Sequence, residues 1–287
     1  MAKYCFSIFL RNLTPNHVAF ILDGNRRYAR LHSFESVIDG HKKGAEAVLN
    51  IIPLLKNLGI KYVSLFIFSR DNFLRKGEVE NMMELLHQNF HKEKQWLYNL
   101  NAKILISGDM NLLPENIKAI LNEIVNETKD KNEMILNLCC AYSCSTEIEK
   151  SLRTFSKEFV DIREDVYFKE DIKDGSHKNI MESTKLGCTT DRNKPFYVKF
   201  EDLYDCDIDS HILNYKLKIR EFWQCLYNPQ IPPPKILIRT SGETRLSDFL
   251  FYQACFNTKI YFIETLWPAI NRFTIIFVII HYLLFYN

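Results

Sequence analysis

Net charge is almost missing from this sequence. Its 37 lysines and arginines face 35 aspartates and glutamates, a formal +2 over 287 residues. A protein held to nucleic acid by bulk charge needs a basic surplus. No nucleic acid is therefore expected as a partner, and any anion must be gripped by arginines placed locally. Paired cysteines are missing as well: the eight cysteines, at 5, 139, 140, 144, 188, 206, 225 and 255, include no C-x-x-C. That spacing argues against a zinc site and favours reduced, structural thiols over disulfides. Met1–Leu10 lack a long apolar core and a small-residue cleavage site, so no signal peptide is read there. The apolar run Phe273–Tyr286, broken only by Thr274 and His281, falls short of the roughly 20 residues that cross a bilayer. It reads as a docking strand or helix, a membrane-surface anchor, or an aberrant chain end. Internal repeats are absent.

What is present is apolar residue in quantity, 47 %, enough for a sizeable core. Strand-like and helix-like segments alternate. Residues 17–22, 62–68, 103–107, 134–141, 235–239 and 259–263 read as strands. Helices are expected over Gly44–Leu58, which Pro53 should kink or lengthen in its first half, over Glu78–Leu97, from Pro114 to about Asn126, from Ser145 to Phe155, and near Ile212–Leu226. Strands apolar on both faces and separated by helices predict an α/β fold, a central, mostly parallel sheet of about six strands flanked by helices. The segment from about 156 to 205, dense in charges of both signs, reads as a surface insertion. The expected organisation is one domain over 1–272 carrying that insertion, followed by the apolar tail 273–287.

In an open parallel sheet, ligands bind beyond the C-terminal ends of the strands. The strand ending at Leu22 delivers Asp23, Gly24, Asn25, Arg26 and Arg27. The strand ending at Phe68 delivers Ser69, Arg70, Asp71, Asn72 and Arg75. The strand ending near Ile238 delivers Arg239, Arg245 and Ser247. Three strands thus release arginines and small polar residues onto one rim. Arginine presents a planar fork of donors matched to phosphate oxygens, and a following helix adds free N–H groups. Asp23 is suited to Mg²⁺, which takes one or two carboxylates plus phosphate oxygens and water. Each residue also has a plainer reading. Asp23 alone could cap a helix, Arg70 and Asp71 could pair on the surface, and His41 could merely begin a helix. Leu85, Leu86 and Phe34 could line a tunnel but sit at ordinary core spacing, and Phe251 and Tyr252 read as core.

The stretches HVAFILDGNRRYA (17–29), GHKKG (40–44), LFIFSRDNFLR (65–75), LNLCCAYS (136–143), ILIRTSGETRLSDFLFYQ (236–253) and LWP (266–268) occur in this order. Together they resemble the cis-prenyltransferases, the undecaprenyl and dehydrodolichyl diphosphate synthases, with wording closer to the eukaryotic dolichol-type branch. The resemblance implies condensation of isopentenyl diphosphate onto an allylic diphosphate such as farnesyl diphosphate, repeated inside an apolar tunnel, with Mg²⁺ as cofactor. By position, Asp23 would hold Mg²⁺ and a diphosphate. Asn25 would sit at the reacting centre, with His41 and Ser69 nearby. Arg27 would clamp the allylic diphosphate, with Gly24 and Arg26 shaping its loop. Asn72 and Arg75 would help bind substrate, and Arg239, Arg245 and Ser247 would hold isopentenyl diphosphate.

Three departures accompany the likeness. Val37 stands where members often carry arginine. Phe256, Asn257 and Thr258 occupy the region of a downstream glutamate that helps with the metal in bacterial relatives. No R-x-G follows Trp267. In the eukaryotic branch a non-catalytic partner can supply that motif, so the expected assembly is a homodimer or a heteromer with such a partner. A membrane-associated enzyme on the cytosolic face of the endoplasmic reticulum is expected, with the cytoplasm or a plastid-type organelle as alternatives. The competing readings are a scaffold subunit of the same complex, which would typically lose the D-G-N-R-R block retained here, and a phosphate-ester hydrolase. For the hydrolase no nucleophile or two-metal carboxylate cluster is apparent.

Overall fold

The computed structural model describes residues 14–74, 79–167 and 218–286, with the backbone alone for 157–167. Six strands form one sheet: β1 (His17–Ile21), β2 (Tyr62–Ser69), β3 (Ala102–Ser107), β4 (Met134–Tyr142), β5 (Ile236–Arg239) and β6 (Lys259–Phe262). Their order is β3-β4-β2-β1-β5-β6 and every pairing is parallel. β1 and β5 are buried along their whole lengths, as strands covered on both faces must be.

The order explains where a site can form. From β1 the chain moves outward through β2 to one side, whereas β5 and β6 lie on the other side of β1. The gap between β1 and β5 is therefore the switch point of the sheet, where the loops leaving two neighbouring strands diverge and open a crevice. Register aligns Ile21 with Arg239, so the residues after β1 and after β5 emerge side by side.

Helices α1 (Asn25–Leu31) and α2 (Val37–Asn57) follow β1. α2 starts earlier than the expected Gly44, because the Ser36 hydroxyl accepts from Ile38 N–H and caps it. It also runs unbroken through Pro53. Gly40 and Gly44 lie inside it, where a Cβ would stand 2.2 Å from Asn25 O and from Asn25 Oδ1 respectively. Their bare faces let α1 lie directly on α2. Helices α3 (Val79–Asn99) and α4 (Glu115–Thr128) agree closely with the sequence reading. α5 (Cys144–Tyr167) extends helix through the first part of the segment read as an insertion; residues 168–205 of that segment lie outside the described residues. A short helix covers 218–224, and α7 (Phe251–Ala254) follows the loop after β5. Counting the 218–224 helix as α6, the last helix is α8 (Arg272–Phe285). Its Ile275, Val278, Ile279 and Tyr282 join the main core, while Phe273, Phe277, Leu284 and Phe285 are exposed. Among the described residues no helix is long and apolar enough to cross a membrane. Phe251, read as core, is exposed, whereas Tyr252 packs between Phe222 and Phe256.

Candidate active site

One cavity of ≈ 800 Å³ opens at the switch point. Asp23, Gly24, Asn25, Arg26, Arg27, His41, Ser69, Asn72, Arg239, Arg245 and Ser247 all line it, so the topology gathers residues spread over more than two hundred positions of sequence. Arg75 lies outside the described residues. Asp71 lines the cavity too, and Arg70 does not pair with it: the Arg70 guanidinium donates to Thr146 Oγ1. Ser69 Oγ donates to Asn72 Oδ1 at 2.9 Å. Away from this polar mouth the wall turns apolar, with Val48 and Leu49 from α2, Leu85 and Leu86 from α3, and Leu136 and Leu138 from β4. A cavity charged at one end and greasy along the rest suits a molecule built the same way.

The mouth is an array of mutually locked charges. Arg239, 4 % exposed at its side chain, donates through Nη2 to Asp23 Oδ2 at 2.7 Å. Its Nη1 donates to Ser247 Oγ at 2.7 Å and to the Arg245 carbonyl. Arg27 Nη2 donates to Ser241 Oγ at 2.5 Å, lies 3.3 Å from Glu243 Oε1, and stands 3.9 Å from Asp23 Oδ1. Arg245 binds the other Glu243 oxygen.

Backbone contacts tie the two loops together. Asp23 N–H donates to Thr240 Oγ1 at 3.0 Å, and that hydroxyl donates back to Asp23 O at 2.7 Å. Trp267 N–H also donates to Asp23 O, at 2.9 Å, and its indole donates to Gly44 O at 2.8 Å. Gly24, with φ 108°, turns the chain into α1 in a conformation open to glycine, and a Cβ there would meet Leu266 Cδ2 at 2.9 Å. Ser241, Ser247, Asp248 and Leu250 take left-handed backbone conformations in a single loop, strain of the kind that collects at binding sites. Asp248 anchors this loop by accepting from Ser143 Oγ at 2.7 Å and Ser145 N at 3.1 Å, at the start of α5.

Asn25 combines two contacts of opposite character. Its Nδ2 donates to Leu22 O at 3.2 Å, which fixes the amide, while its Oδ1 is buried without a hydrogen-bond partner. A buried acceptor left unsatisfied costs about 1–3 kcal/mol; this one is turned against Gly44 of α2.

The undecaprenyl diphosphate synthase family of prenyltransferases matches residues 21–284, nearly the whole chain and every element of the mouth. The chain belongs to this family. It is 31 % identical over 270 residues to the dehydrodolichyl diphosphate synthase complex subunit DHDDS of Homo sapiens, a match covering 93 % of this chain and 66 % of that protein. It is 30 % identical to dehydrodolichyl diphosphate synthase CPT3 of Solanum lycopersicum, covering 96 % of this chain and 87 % of that one. To an isoprenyl transferase of Thermotoga maritima it is 31 % identical, covering 90 % and 89 %. The fold is that of lavandulyl diphosphate synthase from Lavandula x intermedia, with a TM-score of 0.68, 24 % identity, and coverage of 96 % of this chain and 98 % of that structure.

For a prenyltransferase of this family the metal question turns on Asp23. Among the described residues no three His, Cys, Asp or Glu side chains gather into a cage. Asp23 Oδ2 is engaged by Arg239, while Oδ1 is 3.9 Å from Arg27 Nη2. One carboxylate with an unshared oxygen, beside arginines that attract diphosphate, fits a Mg²⁺ that draws its other ligands from phosphate and water. It does not fit an all-protein cation site.

Sequence reasoning gave no individual role to four residues of this prenyltransferase site: Thr240, Ser241, Glu243 and Trp267. All stand in the stretches quoted for the resemblance, and the first three follow directly on a strand end. That position was the available signal; their partners, Asp23, Arg27 and Gly44, lie across the switch point and only the fold brings them near.

Proposed function

We propose that this chain is a Mg²⁺-dependent cis-prenyltransferase that adds isopentenyl diphosphate head-to-tail to an allylic diphosphate such as farnesyl diphosphate, building a long cis-polyprenyl diphosphate. The observation that carries this reading is a cavity with two arginine clusters at its mouth and an apolar wall behind them. In each cycle the allylic C–O bond breaks and diphosphate departs with the electron pair. The isopentenyl double bond attacks the allylic carbon, a C–C bond forms, and loss of a proton from the isopentenyl C2 leaves the new double bond. Arg27 binds the departing diphosphate, and Arg239, Arg245 and Ser247 orient the attacking one. Mg²⁺ held by Asp23 would neutralise charge on the leaving group. Asn25, His41 and Ser69, which line the same cavity, are the residues assigned to the reacting centre. Catalysis here is orientation plus stabilisation of developing charge.

The finer reading is a dolichol precursor synthase, in line with the dehydrodolichyl diphosphate synthases of human and tomato, and its product would serve protein glycosylation. The exposed apolar side chains of α8, together with Ile260 and Phe262 on edge strand β6, support assembly with a second subunit, a homodimer or a heteromer, and association with a membrane. The cytosolic face of the endoplasmic reticulum is the proposed location. The test is incorporation of radiolabelled isopentenyl diphosphate onto farnesyl diphosphate with Mg²⁺ by the purified chain, alone and after co-purification of bound proteins from its native cell. Long polyprenyl product in either preparation supports the proposal. Its absence from both, with folded protein that binds neither substrate, refutes it.

A further inference from the structure

Glu243 has no role in the reading just given, yet it sits at the centre of the charge array. One of its oxygens lies 3.3 Å from Arg27 and the other binds Arg245. It therefore spans the two arginines assigned to different diphosphates. Ser241 Oγ, in the same turn, also accepts from Arg27. The backbone beneath Glu243 is fixed: Ser241 N–H donates to Thr265 O and Gly242 N–H to Ile263 O, both at 2.9 Å. Only the side chain is free to swing, and it is part-exposed at the cavity mouth.

A carboxylate bound by one N–H of each of two guanidinium groups occupies the place an incoming phosphate oxygen needs. It carries one charge and two oxygens. A diphosphate carries more of both and wins the exchange, but the first one to arrive must break the bridge. Once the bridge is broken, the second arginine is already released. Resting on the diphosphate reading of this site, we propose that Glu243 is a built-in counter-anion. It clasps Arg27 to Arg245 in the ligand-free enzyme, is displaced by the first diphosphate, and so makes binding at the two sites mutually favourable. The binding-competent state is under-populated while the clasp is closed, and the first ligand removes that handicap for the second. By linkage the effect is reciprocal.

The test uses calorimetric titration of the full chain with isopentenyl diphosphate and with an unreactive thiolo analogue of farnesyl diphosphate. Each is titrated alone and in the presence of the other, with and without Mg²⁺. Wild type should bind each ligand more tightly when the other is present. Glu243→Gln, which keeps the shape and loses the charge, should bind each ligand alone roughly two- to tenfold more tightly, the scale of one or two half-exposed ion pairs. The mutual enhancement should fall toward one. Glu243→Ala should behave the same way, which guards against an effect of the amide itself. Wild-type binding with unchanged or weakened affinities in both variants overturns the clasp and leaves the diphosphate reading standing. Weakening confined to titrations with Mg²⁺ makes Glu243 a metal ligand and also overturns it. Failure of folded wild type to bind either ligand overturns both readings together.

Discussion

Replacing Asp23 with alanine should do two separable things. The first is structural. Arg239 is almost wholly buried and its Nε has no hydrogen-bond partner, so its guanidinium depends on Asp23, Ser247 and the Arg245 carbonyl. Stripping the counter-charge from a buried pair typically costs about 3–5 kcal/mol. Here Asp23 is 30 % exposed and two of the three contacts survive. Water can reach the vacated place, which lowers the expected loss to about 2 kcal/mol. For a chain of this size that is a fall in melting temperature of roughly 3–4 °C. The second effect is chemical: the carboxylate proposed to hold Mg²⁺ is gone and turnover should collapse. Asp23→Asn separates the two, because the amide oxygen still accepts from Arg239 but carries no charge. Stability should rank wild type, then Asn, then Ala, with Asn down by about 1 kcal/mol. Activity should be abolished equally in both variants. A stability cycle with Arg239→Met should return a favourable coupling of about 1–2 kcal/mol between the two side chains. Thermal unfolding and labelled isopentenyl diphosphate incorporation measure both effects. If activity follows stability, so that Asp23→Asn works nearly as well as wild type, the metal-holding role is refuted. If Asp23→Ala melts with wild type, the structural coupling is refuted.

Two further outcomes follow from the geometry. Gly44→Ala places a Cβ 2.2 Å from Asn25 Oδ1 and 3.2 Å from Trp267 Cδ1, so the Asn25 amide must turn. The overpacking of roughly 1–3 kcal/mol is partly offset by about 1 kcal/mol of helix propensity. Turnover should therefore fall at least tenfold with only a small change in unfolding midpoint, and wild-type turnover would refute the positioning. His17 is fully buried, with Nδ1 2.6 Å from Pro232 O and Nε2 2.9 Å from Ser64 Oγ, and burial pulls its pKa down to about 4 against the opposing carbonyl hydrogen bonds. Between that value and the ordinary 6.5 the unfolded chain binds a proton the folded chain does not. Stability should thus rise by about 3 kcal/mol from pH 4 to pH 6.5. Urea unfolding of wild type against His17→Gln measures it, and parallel pH profiles of the two would refute it.

The strand ends were legible in the sequence because a buried strand cannot release arginine, asparagine and aspartate at its tip without a reason, and β1, β2 and β5 all do so. The start of α2 was not legible. Gly40 and Gly44 look like breakers, and only the presence of α1 against them explains why a helix contains both. The tail was legible as apolar but not as a helix with one face on the core. Nearly every residue of α8 is hydrophobic, so periodicity carries no signal there; the buried and exposed faces differ by what they meet, not by composition. Arg70 and Asp71 looked like a pair because they are adjacent, yet Arg70 reaches Thr146 on α5.

The same distinction shows what kind of site this is. Thr240 and Trp267 fasten the Asp23 loop through main-chain atoms, Asp248 fastens the loop after β5 to α5, and Arg239 stitches one loop to the other. Loops so tied cannot fold over a substrate as a lid. The site gains selectivity by holding its donors in place before the ligand arrives, which is how fixed dipoles stabilise developing charge most effectively. Among the described residues, side-chain charge pairing at the mouth is what these ties leave adjustable. In a cavity whose apolar wall must receive a growing chain, control of when each diphosphate binds then falls to the half-exposed groups around Glu243.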